Sequence, residues 1–184
     1  LGVLVMVYLF NIQALPLFRE AARELFRQEA YNDLVPVLAH VRRLEPRDAD
    51  VRAIEAKMHY HEGRRREAEA LLRGLVEEGC ADSGVSYLYG LLLIERGVRH
   101  EALEPLRRAV ELEPASGLYR FRFAETLHLL GRDCREDLAQ ALELAPDDPW
   151  INNLHGQVLL GDGRVEEAIA AFRTALRGLP GEPD

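Results

Sequence analysis

The chain has 184 residues, 48% of them hydrophobic and 29% charged, which is the balance of a folded protein and excludes a disordered one. Its formal charge of −8 excludes a general nucleic-acid binder, because neutralising phosphates requires a positive surface. Its two cysteines, Cys80 and Cys134, stand alone and far apart, which excludes a disulfide framework or a zinc site and leaves them as small buried hydrophobes.

In chain order, the first stretch is the most apolar. Residues 1–18 carry no charge, and Leu1–Phe10 is apolar apart from Gly2 and the Tyr8 hydroxyl. Three placements suit such a segment: the tail of a membrane anchor, a cap packed on the first repeat, or a strip lying in a groove. Ten apolar residues in a row exceed what one helix face needs, so the expectation is an anchor over 1–14. That gives a membrane-associated N-terminus on a soluble helical domain, with a cytoplasmic chain as the alternative.

From residue 15 onward a period takes over. Gly63, Gly97, Gly131 and Gly163 are 34, 34 and 32 residues apart. Pro114, Pro146 and Pro180 follow at 32 and 34, with Pro46 two periods before Pro114. Ala102, Cys134 and Ala168 form another column, as do Leu72, Leu106, Leu138 and Phe172. One unit can be read physically. The run Val85–Glu95 has helical length and apolar content, and Gly97 ends it with a residue free to take positive φ. A second run, His100–Glu113, sets Ala102, Leu106 and Ala109 on one helical stripe, and Pro114 closes the unit. Gly90 and Ala102 are small where the two helices meet.

These columns resemble the tetratricopeptide repeat (TPR), with its period of about 34 residues and its W-x2-L-G-x2-Y…A-x3-F…P pattern. The resemblance covers 15–182 in five units: 15–48, 49–82, 83–116, 117–148 and 149–182. The third and fifth fit best, the latter through His155-Gly156, Ala168, Phe172, Ala175 and Pro180. The second puts Cys80 where the proline belongs. The fourth is two residues short, a deletion placed between Gly131 and Cys134. The first is the most divergent, with Glu29 at the turn-glycine position and Pro36 inside its second helix. The resemblance implies an all-α fold, a right-handed solenoid of about five helix pairs whose first helices line a concave groove and whose second helices form the outer wall.

Catalytic chemistry is not expected. Ser83, Ser86 and Ser116 lack a nucleophile-elbow context, and Ser83 and Ser116 fall where helix N-caps belong. Gly161-Asp162-Gly163-Arg164 lacks the lysine of a phosphate-binding loop and sits at an inter-helix turn. His59 and His61 point about 200° apart on a helix and cannot share a metal ion. One is expected to line the groove and the other to pack at the helix interface. The carboxylate pairs Glu77-Glu78, Asp147-Asp148 and Glu166-Glu167 belong to helix ends or turns, and Arg64-Arg65-Arg66 to a solvated face. No cofactor and no metal site is expected.

Groove-facing positions are set by helical spacing, counted back from the turn glycines. They are Arg19, Arg23, Phe26 and Arg27, then Ala53, Lys57 and Tyr60, then Tyr87, Leu91 and Ile94. Phe121, Glu125 and His128 come next, and Asn153, Gln157 and Leu160 last. The series runs from basic through apolar and aromatic to carboxamide. The competing placement has Tyr87, Leu91 and Phe121 packing between neighbouring helices. The spaced lysines, asparagines and arginine of the family's carboxylate-clamp variety are missing, so that function does not transfer. The expected partner is another protein or peptide held in the groove by an adaptor or assembly factor. The alternative is a structural subunit of a membrane complex, held by its N-terminal segment and its edges.

Overall fold

A computed structural model describes residues 12–178, and these contain ten helices and no strand. The helices form five pairs: α1 (Leu15–Arg27) with α2 (Tyr31–Leu44), α3 (Ala49–His61) with α4 (Arg65–Glu77), α5 (Ser83–Glu95) with α6 (Arg99–Leu112), α7 (Gly117–Leu129) with α8 (Arg135–Leu144), and α9 (Pro149–Gly161) with α10 (Val165–Arg177). The expected all-α paired architecture is what the chain adopts. Of the expected anchor over 1–14, residues 1–11 lie outside the described residues. Ile12, just after them, packs on the first core cluster.

One turn geometry recurs in all five pairs. The residue that reverses the chain has positive φ: Glu29 (56°), Gly63 (76°), Gly97 (82°), Gly131 (66°) and Gly163 (75°). The next N–H reaches back five residues, from Ala30 to the Leu25 carbonyl, Arg64 to His59, Val98 to Leu93, Arg132 to Leu127 and Arg164 to Leu159, at 2.8–3.0 Å. This is the Schellman closure, which satisfies carbonyls that the ending helix leaves open. Glycine takes the position without a Cβ penalty, and Glu29 takes it with one.

The starts of four of the five first helices are capped by side chains, α1 after Ala14 being the exception. Asp48 accepts from Val51 N–H (3.1 Å), Asp82 from Val85 N–H (3.0 Å), Ser116 from Tyr119 N–H (3.4 Å), and Asp148 from Trp150 and Ile151 N–H. Ser116 thus caps as expected. At α5, which begins at Ser83, Asp82 before it also supplies an acceptor, because a carboxylate caps as well as a hydroxyl.

The helices of a pair touch at small residues. A Cβ on Gly90 would lie 2.7 Å from Leu106 Cγ, and one on Gly156 would lie 2.5 Å from the Phe172 ring. Ala68, Ala102 and Ala168 are buried on the facing helices. Pro36 and Pro105 stand inside α2 and α6, each leaving one i−4 carbonyl without its helical donor.

Two compact units make up the chain, Leu1–Tyr89 and Gly90–Asp184, with the boundary inside α5. In the first, Leu15, Leu34, Leu38, Val41, Val51, Ile54 and Met58 form a continuous core, with Phe18, Leu25 and Phe26 packed against it. In the second, Phe121, Ala124, Cys134, Leu138, Ala141, Ile151 and Leu154 do the same. Cys134 takes its expected buried place, while Cys80 is only half-buried.

The fourth pair shows what its missing residues remove. α8 has 10 residues, against 13 or 14 in the other second helices. α6 begins at Arg99, two residues after Gly97, but α8 begins at Arg135, four after Gly131. The deletion therefore falls where the spacing places it, between Gly131 and Cys134, and it costs α8 its first turn.

Candidate functional site

In the first unit, the basic side chains expected to face a partner are engaged within the fold. Arg19 donates to Asp48 and to Glu45, both at 2.6 Å, and Asp48 is itself buried. Arg23 binds Asp50 at 2.7 Å, and Arg27 binds Glu24 at 2.7 Å. Lys57 meets both oxygens of Asp82, at 2.9 and 2.7 Å. Asp48 and Asp82 are the N-caps of α3 and α5, so Arg19 and Lys57 each tie one first helix to the start of the next. The basic end expected from helical spacing is therefore neutralised by carboxylates of the chain itself.

Four ring-bearing side chains of this unit gather near the ends of α1 and α3. Phe26 lies 6.2 Å from Tyr31 and 5.9 Å from His61, His61 meets Tyr60 edge-on at 6.0 Å, and the Arg65 guanidinium covers the Tyr60 ring at 4.1 Å. His59 points instead among Glu55 and Glu62 of its own segment and is nearly enclosed. Ala53 is buried and Tyr87 half-buried.

In the second unit, Leu91 and Ile94 are half-buried, while Phe121 is only 5% exposed and sits in the core cluster. Glu125 is bound by Arg122 at 2.9 Å. The remaining positions reach open space. His128 of α7 and Gln157 of α9 line one pocket of about 530 Å³, together with the turn residues Arg132, Asp133, Cys134 and Arg135 and with Asp162. Arg135 holds both carboxylates there, Asp133 at 3.0 Å and Asp162 at 2.6 Å. Hydrogen bonds from the Arg135 backbone and side chain hold Asp133 below the usual carboxylate range, and the Arg135 side chain does the same to Asp162. Burial pushes the Cys134 thiol up, away from the reactive thiolate. Burial, with Arg164 nearby, lowers His155 beside this pocket, so its imidazole favours the neutral form.

Asn153 lines a second, apolar hollow of about 330 Å³ with Pro149, Trp150, Phe172, Ala175 and Leu176. Trp150 is 63% exposed, and Leu160 is exposed farther along the same helix. Trp150 and Arg132 escaped the groove assignment. The chain's single tryptophan directly after a capping Asp-Pro, and the short spacing from Gly131 to Gly163, were the signals that pointed to them. Among the described residues no three His, Cys, Asp or Glu side chains gather as a metal site, and no helix is long and apolar enough to cross a membrane.

Paired helices with Schellman-closed turns, repeated five times, define a helical-repeat protein. No family model matches the chain. It is 39% identical over 182 residues to a TPR repeat-containing protein of Treponema pallidum, a match that takes in 92% of this chain and 22% of the relative. The chain thus spans about a fifth of that relative's length. Among solved structures it superposes on YrrB, described as a TPR protein with an unusual peptide-binding site, with TM-score 0.74 at 18% identity over 90% of this chain and 86% of that one. It superposes on MamA with TM-score 0.72 at 15% identity over 93% and 99%. In sequence and in fold the chain is thus similar to tetratricopeptide-repeat proteins.

Proposed function

We propose that the chain is a non-catalytic scaffold that binds a peptide or helix of another protein along its first-helix faces. One observation carries this reading. In the second unit, two successive first helices send His128 and Gln157 to the same open pocket, and neither side chain has a partner among the described residues. The first-helix faces also offer partly buried apolar contacts at Tyr87 and Leu91, the kind of anchor that supplies binding energy when a partner excludes water. Arg19, Arg23 and Lys57 hold helices together on this reading, and Phe121 supports the face from beneath. YrrB, a structural neighbour described as having a peptide-binding site, lends support to this use of the fold.

A photo-crosslinking side chain placed at Gln157 should trap a partner polypeptide, whereas the same group at exposed Arg173 on α10 should trap none. Equal labelling from both positions would remove the first-helix faces as the binding surface. A second reading, a structural subunit of a membrane complex, is favoured by the apolar Leu1–Phe10 and by the exposed hollow around Trp150. It places the N-terminal segment in or against a membrane.

A further inference from the structure

The two-residue deletion in the fourth pair does more than shorten a helix. Where α6 supplies a first turn, the fourth pair has only Arg132 and Asp133 between Gly131 and Cys134, and the space left is the pocket of about 530 Å³. Its hydrogen-bonding groups are unevenly committed. The two carboxylates, Asp133 and Asp162, are both held by Arg135. Arg132, His128 and Gln157 have no side-chain partner among the described residues. The pocket therefore offers uncommitted donors, and the one formal charge in its lining without a partner among the described residues, that of Arg132, is positive, while Arg135 shared between two carboxylates keeps the lining neutral overall. A ligand that pairs with Arg132 accepts hydrogen bonds and carries a single negative charge.

Building on the peptide-binding reading, we infer that this pocket receives the side-chain carboxylate of an Asp or Glu in the bound peptide. Arg132 meets the charge, and the His128 ring and the Gln157 carboxamide donate at its sides. One free guanidinium matches one carboxylate, whereas a phosphate, at close to two negative charges, would leave charge uncompensated beside Asp133 and Asp162. The site is particular to the fourth pair, because in the other pairs the second helix begins two residues after the turn and fills this space.

The test is to pan the full chain against a random dodecapeptide library displayed with blocked C-termini, so that any carboxylate selected is a side chain. Binders should share one acidic position. Replacing that residue with Asn or Gln should weaken binding about tenfold, the scale of one charge-assisted contact. Arg132→Gln should cost the same factor, and the two changes together should cost no more than one, the signature of a direct pair. Inserting two residues between Asp133 and Cys134, which restores the 34-residue spacing, should close the pocket and give the same loss. Arg132 is exposed and unpaired, so its substitution tests the site even if the insertion variant misfolds. Binders without a shared acidic residue, or with affinity untouched by Arg132→Gln, would overturn the pocket assignment and leave the scaffold reading standing. A library that yields no binder overturns both.

Discussion

Glu29 turns the first pair at a φ of 56°, where the other four pairs use glycine. The conformation crowds a Cβ against the following carbonyl, at a cost of about 1–2 kcal/mol, and the Schellman bond from Ala30 to Leu25 holds it there. Glu29→Gly should stabilise the fold by roughly 0.5–1 kcal/mol, the relief being partly offset by the freer unfolded chain. Urea unfolding measures it, and a variant less stable than the parent would show that Glu29 is held in place by some other contact. The turn was legible from periodicity alone, because Glu29 stands 34 residues before Gly63. Phe121 was not legible in the same way. A first-helix residue at that register can face a partner or a neighbouring helix, and only packing decides between them. Here Phe121 packs with Ile151 and Leu154 of α9.

Between elements, Asp48 does two tasks. It caps α3 through Val51 N–H and takes the Arg19 guanidinium from α1, with its own side chain almost wholly enclosed. Lys57 and Asp82 repeat the arrangement one helix pair later. Loss of a cap costs about 1 kcal/mol, and losing the enclosed carboxylate that receives Arg19 adds to it, although Arg19 keeps its bond to Glu45. Asp48→Ala should therefore cost about 2–3 kcal/mol, and Asp48→Asn, which keeps the cap but not the charge, about half as much. Chemical denaturation of both variants checks this. An Asn variant as stable as the parent would mean that Arg19 contributes nothing through Asp48, and equal losses would mean that the cap contributes nothing. Helical spacing alone placed Arg19 and Lys57 on the partner face. It could not reveal that the next helix presents a carboxylate at hydrogen-bonding distance, since that depends on how successive pairs dock.

For the molecule as a whole, this chain corresponds to about a fifth of its Treponema relative, so the matching stretch of that protein is one part of a longer polypeptide. The apolar Leu1–Phe10 bears on where the chain resides. On the membrane reading, removing residues 1–10 should move the protein from the membrane pellet to the supernatant on fractionation. On the same reading the circular dichroism of the repeat region should be unchanged. Retention in the pellet after removal would set the N-terminal segment aside as the anchor.

The sequence by itself determined the fold class, the number of pairs, the turn positions and the location of the deletion. All of these stem from a period that each unit must keep if its small and apolar residues are to meet those of its neighbours. Tertiary structure decided which side chains of the first helices remain available. It committed Arg19, Arg23 and Lys57 to carboxylates, enclosed Phe121, and opened a pocket around Arg132 where a turn of α8 is missing. A helical stripe specifies a direction around one axis, whereas availability depends on what the neighbouring helix places opposite it.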